Sequence, residues 1–141
     1  MNFDIILIVA GEPNSVFFEI FFKTIKKKKY KNPIVLIASN KLLKLQMKKL
    51  NQKMKIKLID KNNLSKIKLD NKYINLIDVK YDQSKPFEKI SKKSKKYIEK
   101  CFKVAFKIIN NKLSFKLING PISKKFFLNN KNPGITEYVS K

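Results

Sequence analysis

The chain has 141 residues, 43% of them hydrophobic, and a formal net charge of +23. This size and apolar content suit a single domain, residues 1–141, built on one core, and leave no room for a second core of ordinary size. All 33 basic residues are lysine, there is no histidine and there is one cysteine, so an imidazole base, a histidine metal site and an internal disulfide are all excluded within this chain.

The apolar run at residues 4–10 ends at Gly11, as a strand buried on both faces of a parallel sheet does. Gly11, Glu12, Pro13 and Asn14 then read as a turn. Ser15 is placed to cap a helix whose apolar positions are Val16, Phe17, Ile20, Phe21, Thr24 and Ile25. Asn32 and Pro33 break the chain before a second buried strand at residues 34–38. Ser39 or Asn40 caps the next helix, with Leu42, Leu43, Met47 and Leu50 on one side. Residues 55–59 alternate lysine with isoleucine or leucine and predict a half-exposed strand. Residues 60–71 are polar and read as a loop, and residues 73–79 as a further strand.

Lys85 and Pro86 open the longest helical pattern. From Phe87 through Ser94, Tyr97, Cys101 and Phe102 to Ile109, apolar and small residues recur at 3.6-residue spacing for about six turns. Lysines fill the opposite face. Cys101 lies on the apolar side and reads as a core filler. Residues 115–118 give the last strand, ended by Gly120 and Pro121, and residues 123–128 a short helix. Strands alternating with helices predict an α/β fold, a three-layer α/β/α sandwich on a mostly parallel sheet. Ligands of such sheets bind beyond the carboxyl ends of the strands, where the Gly11 and Gly120 turns stand.

The charge has a plain compositional reading. Lysine, asparagine, isoleucine and phenylalanine all have A/T-rich codons, and no arginine supplies the bidentate fork of a phosphate reader. Without an RNA-binding aromatic motif or zinc knuckle, no specific nucleic-acid partner is predicted, only salt-sensitive attraction to polyanions. A non-enzymatic basic binding protein is the alternative function this leaves. No apolar run approaches the ~20 residues of a membrane span, and the first residues lack a signal-peptide pattern. With the lone cysteine, these features predict a cytoplasmic protein.

Three motifs remain. Residues 120–124 (Gly-Pro-Ile-Ser-Lys) combine a glycine turn, a helix start and a lysine, the parts of an anion site or of an ordinary strand-to-helix turn. They form neither a Walker loop nor G-x-G-x-x-G. Gly134, Ile135, Thr136 and Glu137 offer a hydroxyl that either contacts a ligand or caps a helix beginning near Glu137. Glu12 beside Pro13 is either a polar site residue or a turn residue.

In order and spacing, ILIVAGEPNSVFFEIFFK, IVLIASNKLLKLQMKKL and LINGPISKKFFLNNKNPGITEY resemble the N-terminal portion of 4-hydroxythreonine-4-phosphate dehydrogenase, of pyridoxal phosphate (vitamin B6) biosynthesis. The family's Gly-Asp/Glu-Pro turn matches Gly11, Glu12 and Pro13. Its Gly-Pro-x-x-Lys turn matches Gly120, Pro121 and Lys124. Its Gly-His-Thr-Glu matches Gly134, Thr136 and Glu137, with Ile135 at the histidine position. The resemblance implies an isocitrate/isopropylmalate dehydrogenase-like fold, and a homodimer with its site in a cleft between domains. It also implies NAD, a divalent metal (zinc, magnesium or cobalt) and a small phosphorylated substrate whose secondary alcohol is oxidised before decarboxylation. Thr136 and Ile135 fall where the family contacts substrate, and Gly11, Glu12, Pro13, Gly120, Pro121, Lys124 and Glu137 line the cleft. The family's chain is more than twice as long, and its metal ligands and NAD site lie beyond the point matching Lys141. The chain therefore reads as a fragment inactive on its own, with a degenerate paralogue as a further alternative. Asn14, Ser15, Val16 and Phe17 replace the family's Ala-Gly-Ile-Gly.

Overall fold

Five strands form one sheet in the order β3-β4-β2-β1-β5, every neighbouring pair parallel. They are β1 (Ile6–Val9), β2 (Ile34–Ala38), β3 (Ile56–Leu58), β4 (Ile74–Asp78) and β5 (Lys116–Asn119). The helices are α1 (Phe17–Lys27), α2 (Asn40–Lys49), α3 (Lys95–Asn110) and α4 (Ile135–Val139). The structure is a computed structural model describing residues 4–114, 116–129, 131 and 134–141. Phe115, where the last strand is expected to begin, lies outside the described residues, and from Lys116 onward that strand is present.

The central strands are apolar on both faces because both faces are covered. Leu7, Val9, Val35, Leu36, Ile37 and Leu76 are completely buried. Ile34, Leu36 and Ile74 line the same cavity as Phe21 and Ile25 of α1. Ile77 and Val79 lie with Val104 of α3. Ile74 and Ile77 are three residues apart on one strand and so point to opposite faces, which puts α1 and α3 on opposite sides of the sheet. The expected three layers and parallel sheet are thus present. The stripe read on the long helix is its buried face: Tyr97, Ile98, Cys101, Phe102, Ala105 and Ile108.

That helix begins later than its pattern suggests. α3 starts at Lys95, after a 3-10 turn at Lys92–Ser94, and Phe87 and Ile90 lie ahead of it, 37% exposed. The backbone here is bonded to distant side chains. Gln46 Nε2 donates to Pro86 O, Gln83 Nε2 donates to Lys85 O, and Glu88 N donates to Asn14 Oδ1. These bonds hold the segment extended over the turn after β1. The predicted loop at residues 60–71 also contains a 3-10 turn, Lys61–Lys66, started by Asp60 Oδ1 accepting from Asn62 N and anchored by buried Leu64.

Ser39 is the cap of α2, accepting from Leu42 N at 3.2 Å. Ser15 Oγ accepts from Phe17 N at the start of α1. β3 is an edge strand, half-exposed as expected, but not by the alternation: Leu58 is 60% exposed while Lys57 is half-buried, its Nζ donating to Lys68 O. Val16, Ile20 and Ile118 are also more than half exposed. Among the described residues, no helix is long and apolar enough to cross a membrane.

Candidate functional site

β1 and β5 are neighbours, with Val9 level with Asn119, so their carboxyl ends release the Gly11 and Gly120 turns side by side. The turns are bonded to each other. Gly120 N donates to Val9 O at 2.7 Å, and Glu12 N donates to Pro121 O at 2.8 Å. Gly11 has φ +77°, and a Cβ there would sit 2.5 Å from Pro121 O. A Cβ on Gly120 would sit 2.1 Å from Ala10 O and 2.7 Å from the Phe17 ring. The space these glycines leave is therefore taken up by protein backbone and by Phe17.

The turn carries Glu12 inward, where it is 3% exposed. Ser94, at the foot of α3, donates its hydroxyl to Glu12 Oε2 at 2.9 Å, and Asn14 N lies 3.5 Å from Oε1. Among the described residues Glu12 has no salt bridge. Burial raises its carboxyl above the ordinary 4.5, partly offset by the Ser94 and Asn14 hydrogen bonds. The Tyr81 phenol beside it is raised as well, by burial and then by the Glu12 and Glu88 charges.

This sets a pH dependence. With a raised native pKa, the folded state holds the proton more tightly than the unfolded chain. The resulting stabilisation is complete below the unfolded value of 4.5 and is lost as pH rises through the native value. Glu12→Gln keeps an acceptor for Ser94 but never ionises. The variant is expected to melt above the parent at pH 7 and to converge with it near pH 4. Parallel melting curves at the two pH values check this, and a variant that melts lower at pH 7 contradicts it.

Asn14 spans the turn and the strap before α3. It exchanges amide hydrogen bonds with Gln83, Nδ2 to Oε1 at 3.2 Å and Nε2 to Oδ1 at 2.8 Å. Buried Gln46 donates to both Pro13 O and Pro86 O at 2.8 Å. Gly11, Glu12, Pro13 and Gly120 are buried, and Pro121 and Lys124 are exposed. After β5, Ser123 Oγ accepts from Phe126 N and starts a π-helical turn, Lys124–Leu128.

α4 is held through aromatic contacts. Tyr138 packs edge-on against Phe127 at 5.0 Å and Phe102 at 5.5 Å. This leaves Thr136 and Glu137 exposed and Ile135 half-buried. The reading of Thr136 as a cap is corrected, because the helix already begins at Ile135 and Thr136 lies inside its first turn. Sequence reading missed Ser94, Gln83 and Gln46, whose bonds to Glu12, Asn14, Pro13 and Pro86 span 33 residues or more, beyond any local pattern.

A metal finds few donors here. Among the described residues no group of three His, Cys, Asp or Glu side chains could hold one. Cys101 is 1% exposed, and burial pushes its thiol up to about 12, consistent with a core filler.

No family model and no curated protein matches the chain. Solved structures do match its fold. A 4-hydroxythreonine-4-phosphate dehydrogenase from Burkholderia phymatum superposes with TM-score 0.77 at 21% identity, covering 98% of this chain and 43% of that one. The enzyme of the same name from Klebsiella pneumoniae gives 0.74 at 17%, covering 93% and 42%. The chain thus spans less than half the length of these proteins, and over that span its fold is that of a portion of 4-hydroxythreonine-4-phosphate dehydrogenase.

Proposed function

We propose that this chain is the N-terminal portion of an NAD-dependent 4-hydroxythreonine-4-phosphate dehydrogenase, which oxidises the secondary alcohol of 4-phosphooxy-L-threonine before decarboxylation. The observation that carries the reading is the fold match over 98% of the chain. Three motifs in family order support it, two of them side by side at the carboxyl edge of the sheet.

The residues present supply one wall of such a site. The exposed Lys124 ammonium suits the substrate phosphate, and the exposed Thr136 hydroxyl can donate to or accept from the substrate. Ile135, at the family's histidine position, adds apolar contact and no hydrogen bond. Glu12, through Ser94, ties the first turn to the foot of α3 and keeps that wall in place.

Neither NAD nor a divalent metal fits the residues of this chain alone. There is no histidine, the one thiol is buried, and the two glycine turns fill one another's space. Hydride transfer and metal coordination thus belong to the remainder of such an enzyme. The purified 141-residue chain, given 4-phosphooxy-L-threonine, NAD and magnesium or zinc, is expected to form no NADH. The protein isolated from its source, with whatever polypeptide it is joined to or associated with, is expected to form it. Turnover by the chain alone overturns the division of labour, and none by the native protein overturns the function.

A further inference from the structure

A groove of about 570 Å³ opens at the opposite end of the sheet from the glycine turns, among the first residues of β2 and β4. Its apolar lining is Ile34, Leu36 and Ile74 of the sheet with Phe21 and Ile25 of α1, of which Ile25 and Ile34 are part-exposed and the others buried. Lys26, Lys27, Lys28 and Lys29, from the end of α1 and the residues after it, line it together with Lys72, and Asp70 is the one acidic residue among the lining. None of these five lysines forms a salt bridge among the described residues, and Lys26 Nζ donates to Gln52 Oε1.

The groove is held open by side chains. Asn71 Oδ1 accepts from Ile34 N, while its Nδ2 donates to Tyr30 O and Asn32 O. Asn32 Nδ2 donates in turn to Asp4 O. Asn75 Nδ2 donates to Ile34 O from the sheet side. Three asparagines thereby fix the connection from α1 to β2, which forms one lip, so the cavity needs no ligand to shape it. Its volume falls within the roughly 300–1,000 Å³ of small-molecule sites.

The geometry points to a second binding site here, for a free small amphiphile with an apolar body and an anionic head. Lysine is abundant all over this surface, so charge alone selects nothing. The selective element is the lysines Lys27, Lys28, Lys29 and Lys72 lining the same preformed trough as the apolar side chains, where one molecule satisfies both at once. A simple polyanion uses only the lysines, and an uncharged apolar molecule only the apolar lining.

Dodecanoate is the probe, titrated calorimetrically into the 141-residue chain at moderate salt and below its micelle concentration. Saturable one-to-one binding is expected, not displaced by inorganic phosphate and stronger than that of uncharged decanol. Ile25→Trp, which fills the trough, and the exposed triple reversal Lys27→Glu/Lys28→Glu/Lys29→Glu should each weaken it by roughly tenfold or more. Ile20→Glu, which changes a different exposed apolar position, should leave it unaltered. The proposal is overturned by absence of saturable binding, by displacement with phosphate, by a requirement for anionic vesicles, or by full affinity in the triple variant.

Discussion

Gly120→Ala is expected to be among the most damaging single substitutions in this chain, costing about 3 kcal/mol or more of folding stability. The added Cβ would fall 2.1 Å from Ala10 O, with the Phe17 ring 2.7 Å away on another side. Backbone oxygen in a sheet cannot swing aside as a flexible side chain can. Relief would require β5 to move off β1, breaking the 2.7 Å bond from Gly120 N to Val9 O. Gly134→Ala is the internal comparison. Among the described residues its Cβ meets the far end of the Glu137 side chain, at 2.9 Å. Urea unfolding of both variants should show a large drop in midpoint for the first and little for the second. Equal midpoints would mean that the two turns are not packed as described.

Phe102→Ala is expected to cost about 3–5 kcal/mol, the range for truncating a buried aromatic ring. Phe102 is completely buried and touches Phe106, Phe127 and Tyr138. Two of those partners belong to the π-helical turn and to α4. The loss should therefore spread beyond a simple cavity. Amide exchange should quicken throughout Lys124–Leu128 and Ile135–Val139, while β2 and β4 keep their protection. A uniform loss over all elements would show that Phe102 supports the core generally and does not specifically hold the element that carries Thr136.

The sequence revealed the elements whose determinants are local. The run at residues 4–10, the Ser39 cap and the buried face of α3 each depend on neighbours within a few residues, and each is where the pattern places it. The start of α3 was not legible because Phe87 and Ile90 keep helical spacing while side chains from elsewhere bond their segment's backbone. The Asn14 bond to Glu88 N spans 74 residues. Nor does the sequence foretell that Glu12 meets Ser94 across 82 residues, or that the two glycines need their smallness for each other. The carboxyl-end turns were readable as a place, and their mutual packing was not.

The strand order also governs how the molecule is made. β1 and β5, one of its two sheet partners, lie far apart in the chain, with Ile6 level with Lys116. Until β5 itself leaves the ribosome, one edge of an almost wholly apolar strand has no partner. At synthesis rates of roughly 5–20 residues per second, that exposure lasts several seconds. Closing so long a loop is slow compared with forming the β1–α1–β2 unit. Those seconds are when a chaperone would have most to bind, and a ribosome stalled before residue 116 would carry a nascent chain prone to pair with its neighbours.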